Sequence, residues 1–471
     1  MKRIVALITC MIMLSSISAF AASNTRTSGL YTYEFKGNGT LRIVDFNWEA
    51  SQGDIYIPSM IDGYEVDIIG ERAFEVNESE NIFLRNKYDD VLVTLPNTIT
   101  SIEDFAFHNA PVTAINIPLK TQSIGVGALL VKPQSERINI NVFSGHEKYA
   151  TIDGNLYNKQ KRELIATADT TSAELTIPDG IRSIAAYVFE NKSVILKMPE
   201  TVNTIGAYAF NGAVDYYIYQ RCQFSKHITA LGEYAFANTD CVLQEEDLTT
   251  LFHSLSIIPS HAFYAFNPLA SSITIVIPGN VLSVGDYAFS DAESSLSITI
   301  KKGVQSLGPS AFEITPGFKK SKGSHWIKIT IEEGLKEIGD NCFRGQTIDN
   351  AIPIQPMSAI TPNAEGITIP GSVYRIGNSA FENVKLTEAK AFTIDLKEGV
   401  AAIGDSCFSG FKNITIIIPS TVTSIGNNAF DAATVTLVVN QGSYAEAYAI
   451  ENGITYKYPE SAEDLSWLTD P

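Results

Sequence analysis

The stretch Ile275-Val276-Ile277-Pro278, running through Val284-Gly285-Asp286-Tyr287-Ala288-Phe289, decides the fold. Its opening alternation sends two branched side chains to one side of an extended chain and one to the other, as the period of two in a strand requires. Pro278 has no N–H, so it cannot continue a ladder and turns the chain. Gly285 suits a tight corner entered through a positive φ, and Asp286 suits the start of a short helical turn. Ala288 is small enough to let a neighbouring segment approach, and Phe289 needs burial. Nothing in so short a unit can bury that ring.

The unit recurs. Leu175-Thr176-Ile177-Pro178 leads to Ile184 and Phe189, and Ile416-Ile417-Ile418-Pro419 leads to Ile425-Gly426-Asn427-Asn428-Ala429-Phe430. Further copies close at Phe74, Phe107, Phe210, Phe236, Phe263, Phe312, Phe343, Phe381 and Phe408, and a degenerate one at Leu129, which makes thirteen. Phe189 to Phe210 is 21 residues, Phe263 to Phe289 is 26 and Phe408 to Phe430 is 22, within the range of solenoid repeats. Pro58, Pro96, Pro118, Pro178, Pro199, Pro278, Pro370 and Pro419 mark the expected strand ends. Residues Asp340, Asn378, Asp405 and Asn427 follow the corner glycine as Asp286 does. The expected fold is a β-rich solenoid of about thirteen stacked coils, with short parallel strands and helical turns. A β cap at the N-terminus should close it, because end coils have no outer neighbour.

The Pro-bounded strand and the Ile-Gly-x-x-Ala-Phe closure resemble the BspA-type leucine-rich repeat, also called the Treponema-type repeat, from about Gly29 to Tyr458. Ile55-Tyr56-Ile57-Pro58 with Ile61-Asp62-Gly63-Tyr64-Glu65-Val66 is similar to the usual first repeat of that family, and 441–454 to its usual end. Tyr149 to Ala166 resembles a hairpin that such proteins insert between coils. The resemblance implies an exported bacterial protein that binds protein ligands through its repeat surface.

Expected boundaries follow: a signal peptide over 1–21, an N-terminal β cap over 22–54, the solenoid over 55–430 and a C-terminal cap and tail over 431–471. The hairpin insertion falls at about 140–170 and a proline-containing loop excursion at about 344–364. Lys2 and Arg3, an apolar run from Ile4 and Ala19-Phe20-Ala21 make up the address. The run is too short to span a bilayer, which takes roughly 20 residues. Its removal takes the formal net charge of −18 to −20. Such an acidic chain of 471 residues is ill suited to nucleic acid, and 45% hydrophobic residues exclude wholesale disorder. Secreted, cell-surface and periplasmic destinations all remain open.

Chemistry-bearing residues are sparse. Cys342 and Cys407 stand where the closing pair has Ala, which reads as small buried thiols. Cys222 and Cys241 flank one coil end and are compatible with a disulfide or with two thiols. His108, His146, His227, His253, His261 and His325 show no metal-ligand spacing and read as surface or loop residues. Gln244-Glu245-Glu246-Asp247 reads as a helix start, where carboxylates meet the positive end of the dipole. No catalytic, cofactor-binding or metal residue is assigned.

What remains is area. The outward strand residues are Tyr56, Thr94, Asn116, Thr176, Lys197, Val276, Thr299, Thr330, Thr368, Asp395 and Ile417, a mostly uncharged, threonine-rich ribbon. It is the candidate binding face, although threonine also suits a pleated sheet for its own sake. The expected function is non-catalytic protein–protein interaction, with adhesion to host matrix or to other cells as its finer form. Two other classes use the same scaffold: a polysaccharide-active enzyme on a β solenoid, and a structural envelope scaffold.

Overall fold

Most copies of the unit form two strand segments rather than one; the coil closing at Phe263 has a helix in place of the first. The first is the β-branched run before proline. The second is the two-residue segment before glycine, such as Ser283–Val284, which the sequence pattern alone did not mark as a strand. The computed structural model describes residues 25–77, 87, 91–132, 137–168, 174–193, 195–214, 222–240, 243–268, 270, 272–315, 318, 327–348, 366–386 and 392–459. The expected signal peptide, Cys241, His325 and most of the 344–364 excursion lie outside them. The protein divides into two units, Met1–Thr170 and Thr171–Pro471. The division falls in the long interval between the closing residues Leu129 and Phe189.

In the first unit, Thr25–Ser28, Tyr31–Phe35 and Thr40–Phe46 pair antiparallel. The last of these then runs parallel to Tyr64–Ile69, which continues into Ser101–Ile102 and Ser123–Ile124. A second parallel sheet holds Ile55–Tyr56, Val91–Thr94, Val112–Ile117 and Asn139–Val142. The N-terminal strands supply the aromatic plug that an end coil needs. Phe46 stacks on Phe74 at 4.8 Å, and Trp48 meets both rings edge-on while donating from Nε1 to the Phe74 carbonyl. Tyr149–Ile152, Asn155–Asn158 and Glu163–Ala166 form antiparallel pairs around the turn Asp153-Gly154.

The second unit carries long parallel strands in three sheets: Glu174–Thr176 with Ile195–Lys197; Ser272–Ile277, Ser295–Ile300 and Ile327–Ile331, continuing to Lys385–Leu386; and Gly366–Ile369 through Thr455–Lys457. A ladder of short strands runs from Ile257–Ile258 to Ser424–Ile425. Prolines sit where the reading placed them: Ser272–Ile277, Gly366–Ile369 and Ile414–Ile418 each stop one residue before one. The Val281 and Val373 N–H groups then bond back to the Pro278 and Pro370 carbonyls. All thirteen closing residues are buried. From Phe189 to Phe430 the rings form one column, with centroids 4.8–5.8 Å apart. The helix α2 (Tyr444–Glu451) ends it, with Tyr448 edge-on to Phe430.

A further helix is α1 (Glu245–Phe252), where the acidic run begins as read: Asp247 accepts from the Gln244 N–H at 2.8 Å. The other corners are not helical turns. Two residues after each corner glycine the chain enters the left-handed region, with φ of 57° at Tyr208 and 55° at Tyr287, and that breaks any helical path.

Two expectations about the corner are therefore corrected. The glycine before it does not use positive φ. A Cβ on Gly232 would lie 2.2 Å from the backbone nitrogen of Ala207, and one on Gly285 would lie 2.5 Å from that of Ser260. Glycine is required by the backbone of the coil below. The Asx residues after it do not start helices either. Asp340, Asn378 and Asp405 each accept from the backbone N–H one coil on, at Asn378, Asp405 and Asn427, over 2.7–2.9 Å.

Truncating a ring in mid-column leaves a cavity that stacked neighbours cannot close, so Phe289→Ala should lose about 3–5 kcal/mol in urea unfolding. Gly232→Ala should also destabilise measurably. Gly37→Ala, at a position with no atom within 4 Å of the added Cβ, should change little, and equal effects at the two glycines would contradict the backbone-clearance account.

Candidate binding faces

Register, fixed by backbone pairing, decides which outward side chains become neighbours. Tyr56, 64% exposed, stands beside Thr94. Asn116 stands beside Asn141, but its amide is already engaged with the Leu95 N–H at 2.7 Å and the Leu95 carbonyl at 3.0 Å. In the second unit Thr176 lies beside Lys197, whose ammonium pairs with Glu174. Val276, Thr299 and Thr330 form one row. Thr368, Asp395 and Ile417 form another, in which Asp395 is bonded to Lys397 at 2.6 Å. The ribbon is thus split among separate sheets, and Lys197, Asn116 and Asp395 spend polar groups on neighbours.

A second row, two residues earlier in each strand, escaped the reading although the same alternation predicts it. It holds Thr274, Ser297 and Lys328 in one sheet, and Thr393, Thr415, Thr436 and Thr455 in another. In the latter sheet one column is threonine over four successive strands while its companion mixes Asp395, Ile417, Val438 and Lys457.

A third row lies at the left-handed corner. The residue before each Ala-Phe pair has positive φ, and over five consecutive coils of the second unit it is Tyr187, Tyr208, Tyr234, His261 and Tyr287. These half-buried rings stack face to face, with centroids 4.8, 4.7, 4.3 and 4.9 Å apart and interplanar angles of 5–16°. From Ser310 onward the same position is Ser or Asn, at Asn341, Ser379, Ser406 and Asn428. A left-handed φ costs an ordinary L-residue about 1–2 kcal/mol, and a stacked aromatic pair returns about 0.5–1.5 kcal/mol. Stacking offsets much of the backbone cost, and the turn itself does not require a ring, since Ser and Asn make it in the later coils. The signal was present in the sequence, one residue ahead of the Ala-Phe pair, as Ala-Tyr, Glu-Tyr, Ser-His and Asp-Tyr.

The electrostatics of this corner are acidic. Burial raises the Tyr208 phenol pKa, and Tyr234, Glu233 and Glu190 push it the same way. Burial lowers the His261 pKa against the opposing pull of Glu233 and Asp286. Burial, with Asp291 adding to it, raises the phenol of Tyr264, whose ring is tilted against His261.

Several of the other described histidines and the described thiols have structural places. His108 Nδ1 meets the Glu75 carboxylate at 2.8 Å, and His253 caps the C-terminus of α1. His146 departs from the surface reading. It is buried, with Nδ1 accepting from the N–H groups of Lys148 and Tyr149 at 3.1 and 3.3 Å. Cys342 and Cys407 are buried free thiols whose pKa burial pushes far up. Cys222 is buried as well. Among the described residues no group of three His, Cys, Asp or Glu side chains is placed to hold a metal ion, and no helix is long and apolar enough to cross a membrane.

The model for the BspA type leucine rich repeat region matches residues 54–158, 166–271, 248–364 and 359–452. Among solved structures, a leucine rich cell surface protein from Faecalibacterium prausnitzii is similar at 18% identity and a TM-score of 0.40, covering 90% of this chain and 97% of its own. A leucine-rich repeat protein from Bacteroides ovatus is similar at 17% identity and a TM-score of 0.38, covering 92% and 100%. The pneumococcal vaccine antigen PcpA is similar at 13% identity and a TM-score of 0.29, covering 93% and 99%. No curated protein matches.

Two outcomes follow from the buried groups. At about pH 8, where an ordinary thiol is partly ionised, Cys342 and Cys407 should stay unlabelled by a maleimide until denaturant is added. Mass spectrometry of the labelled peptides reads this directly, and native labelling at the denatured rate would contradict their burial. For His146 the folded pKa is depressed, so the unfolded chain takes up the proton first. Stability should be level above about pH 6.5 and fall as pH drops through the lowered value. In urea melts across that window His146→Asn should remove this part of the slope.

Proposed function

The chain belongs to the family of BspA-type leucine-rich repeat proteins, and we propose that it is an exported, non-catalytic binding protein that presents its repeat surface to protein ligands. The observation supporting this most directly is the in-register array on the long-strand faces. Backbone pairing holds Val276, Thr299 and Thr330 in a fixed row, so side-chain positions are set before a partner arrives and little ordering entropy is lost on binding. Strand residues that face outward are free of the packing constraint that fixes the Ile and Phe columns.

Its finer form is adhesion to extracellular matrix or to other cells after export by the peptide at 1–21. Flat, weakly charged rows suit a broad protein contact better than a small ligand, which is gripped by a concave pocket with a few convergent polar groups. The Pneumococcal antigen and the Faecalibacterium cell surface protein are described as surface or vaccine proteins, and those descriptions belong to them.

The test is a binding panel of purified matrix proteins and intact cells against the mature chain, with the double variant Thr299→Glu/Thr330→Glu as comparison. At least one partner should bind, and the variant should weaken it about tenfold or more, as for a truncated or repelled contact at an interface centre, while it still unfolds cooperatively with only the modest loss that like charges on paired strands cause. A blank panel would remove the adhesion clause. Release of product from acidic glycans would replace the binding reading with an enzymatic one.

A further inference from the structure

The corner row is the part of the molecule that neither the fold nor the strand-face reading uses. Tyr187, Tyr208, Tyr234, His261 and Tyr287 occupy left-handed positions, whereas the later coils of the same unit make the same turn with Ser310, Ser379 and Ser406. Turn geometry therefore does not call for an aromatic ring. The run is unbroken over five coils, which gives a ridge whose rungs repeat every 4.3–4.9 Å.

The geometry limits what such a ridge can bind. Within the stack the ring faces lie against one another at van der Waals separation, so they offer no slot for a sugar or a nucleobase to stack between rungs. What half-buried, mutually stacked rings present to solvent is their edges and phenol oxygens. The charged groups that act on these rings are carboxylates: Glu190 and Glu233 on Tyr208, Glu233 and Asp286 on His261. Glu233 and Asp286 are exposed, and Glu190 is half-buried beside Asn211. Phenol oxygens and carboxylates accept hydrogen bonds, and guanidinium and ammonium groups donate several each.

We propose that this tyrosine-histidine ridge is a docking edge for a basic polypeptide segment, one rich in Arg and Lys whose side chains reach the phenol oxygens and the flanking carboxylates. The inference rests on the binding reading above and assigns it a second surface with a partner of defined charge. An extended segment advances about 3.3 Å per residue, so a segment of about six or seven residues spans the five rungs, and an octapeptide covers them in full.

The experiment titrates an octa-arginine peptide and an octa-glutamate control into the full mature chain, followed by fluorescence polarisation at two salt concentrations. The discriminating variant is Tyr208→Ser/Tyr234→Ser/Tyr287→Ser. It leaves the net charge untouched at neutral pH and installs a residue that this fold already accepts at the same corner. Binding of octa-arginine should weaken at least about tenfold in the triple variant, remain unchanged in Tyr374→Ser, a control at an exposed tyrosine outside the ridge, and be absent for octa-glutamate. Equal binding by the triple variant would show attraction to net charge alone and overturn the proposal, as would no binding by the wild type. Should the triple variant fail to melt cooperatively, Glu233→Gln gives the second reading: an exposed carboxylate whose loss should weaken the peptide several-fold. No effect there would also overturn the proposal. Thr299→Glu/Thr330→Glu should leave octa-arginine binding intact, so failure of the ridge and failure of the strand face are told apart.

Discussion

Within each unit, successive described coils are bonded backbone to backbone, and everything else is arranged to permit that approach. In the second unit the contact is made in the long strands, in the two-residue strands and again at the Ala-Phe corner, where the Phe263, Phe289 and Phe312 N–H groups donate to the coil above over 2.7–2.9 Å. Strand pairing sets a spacing of about 4.8 Å, and ring centroids of 4.8–5.8 Å follow it. Phenylalanine fits because offset aromatic stacking is favourable near that distance. Glycine is needed because one backbone passes within contact distance of the next. Cys342 and Cys407 replace alanine because a small thiol is tolerated under the same ceiling.

Much of this was legible because a solenoid writes one structural position many times. Thirteen closing residues, the prolines after Ile277, Ile369 and Ile418 and the acidic start of α1 could be read from spacing and residue type. The roles of Gly285 and Asp340 could not. Glycine is required both where φ is positive and where a Cβ has no room, and a single chain shows the residue without the reason. Asp and Asn cap helices and also accept from a neighbouring strand or turn, so Asp340 fitted both readings until the Asn378 N–H was found 2.8 Å from its carboxylate. In most coils the second strand is only two residues long, below the length at which alternation can be recognised.

The candidate faces were harder to read than the core for a related reason. Burial imposes one answer on a column, and repetition of Ile, Ala and Phe reveals it. An outward column is free to vary: one in the C-terminal sheet is threonine at 393, 415, 436 and 455, while its companion mixes Asp395, Ile417, Val438 and Lys457. Side chains read as available in the sequence were already spent on neighbours, as Asn116 is on Leu95 and Lys197 on Glu174. Those pairings depend on which strand lies alongside, which the order of residues within one coil does not contain.

Columns also change what a single residue means. On an isolated loop, a tyrosine at a left-handed φ would be strain without an evident return. Here each such ring stacks on one or two equivalents, and the stacking offsets part of what the backbone conformation costs. The corner itself accepts Ser and Asn in the later coils, which leaves the identity of the column open to selection for another property: exchanging Tyr for either keeps the turn but replaces a row of phenols by short polar groups. The column passes from aromatic to polar between Tyr287 and Ser310 while the phenylalanine column beside it continues without a break to Phe430. Since backbone spacing and interior packing are the same on both sides of that point, the difference between the two halves belongs to the surface.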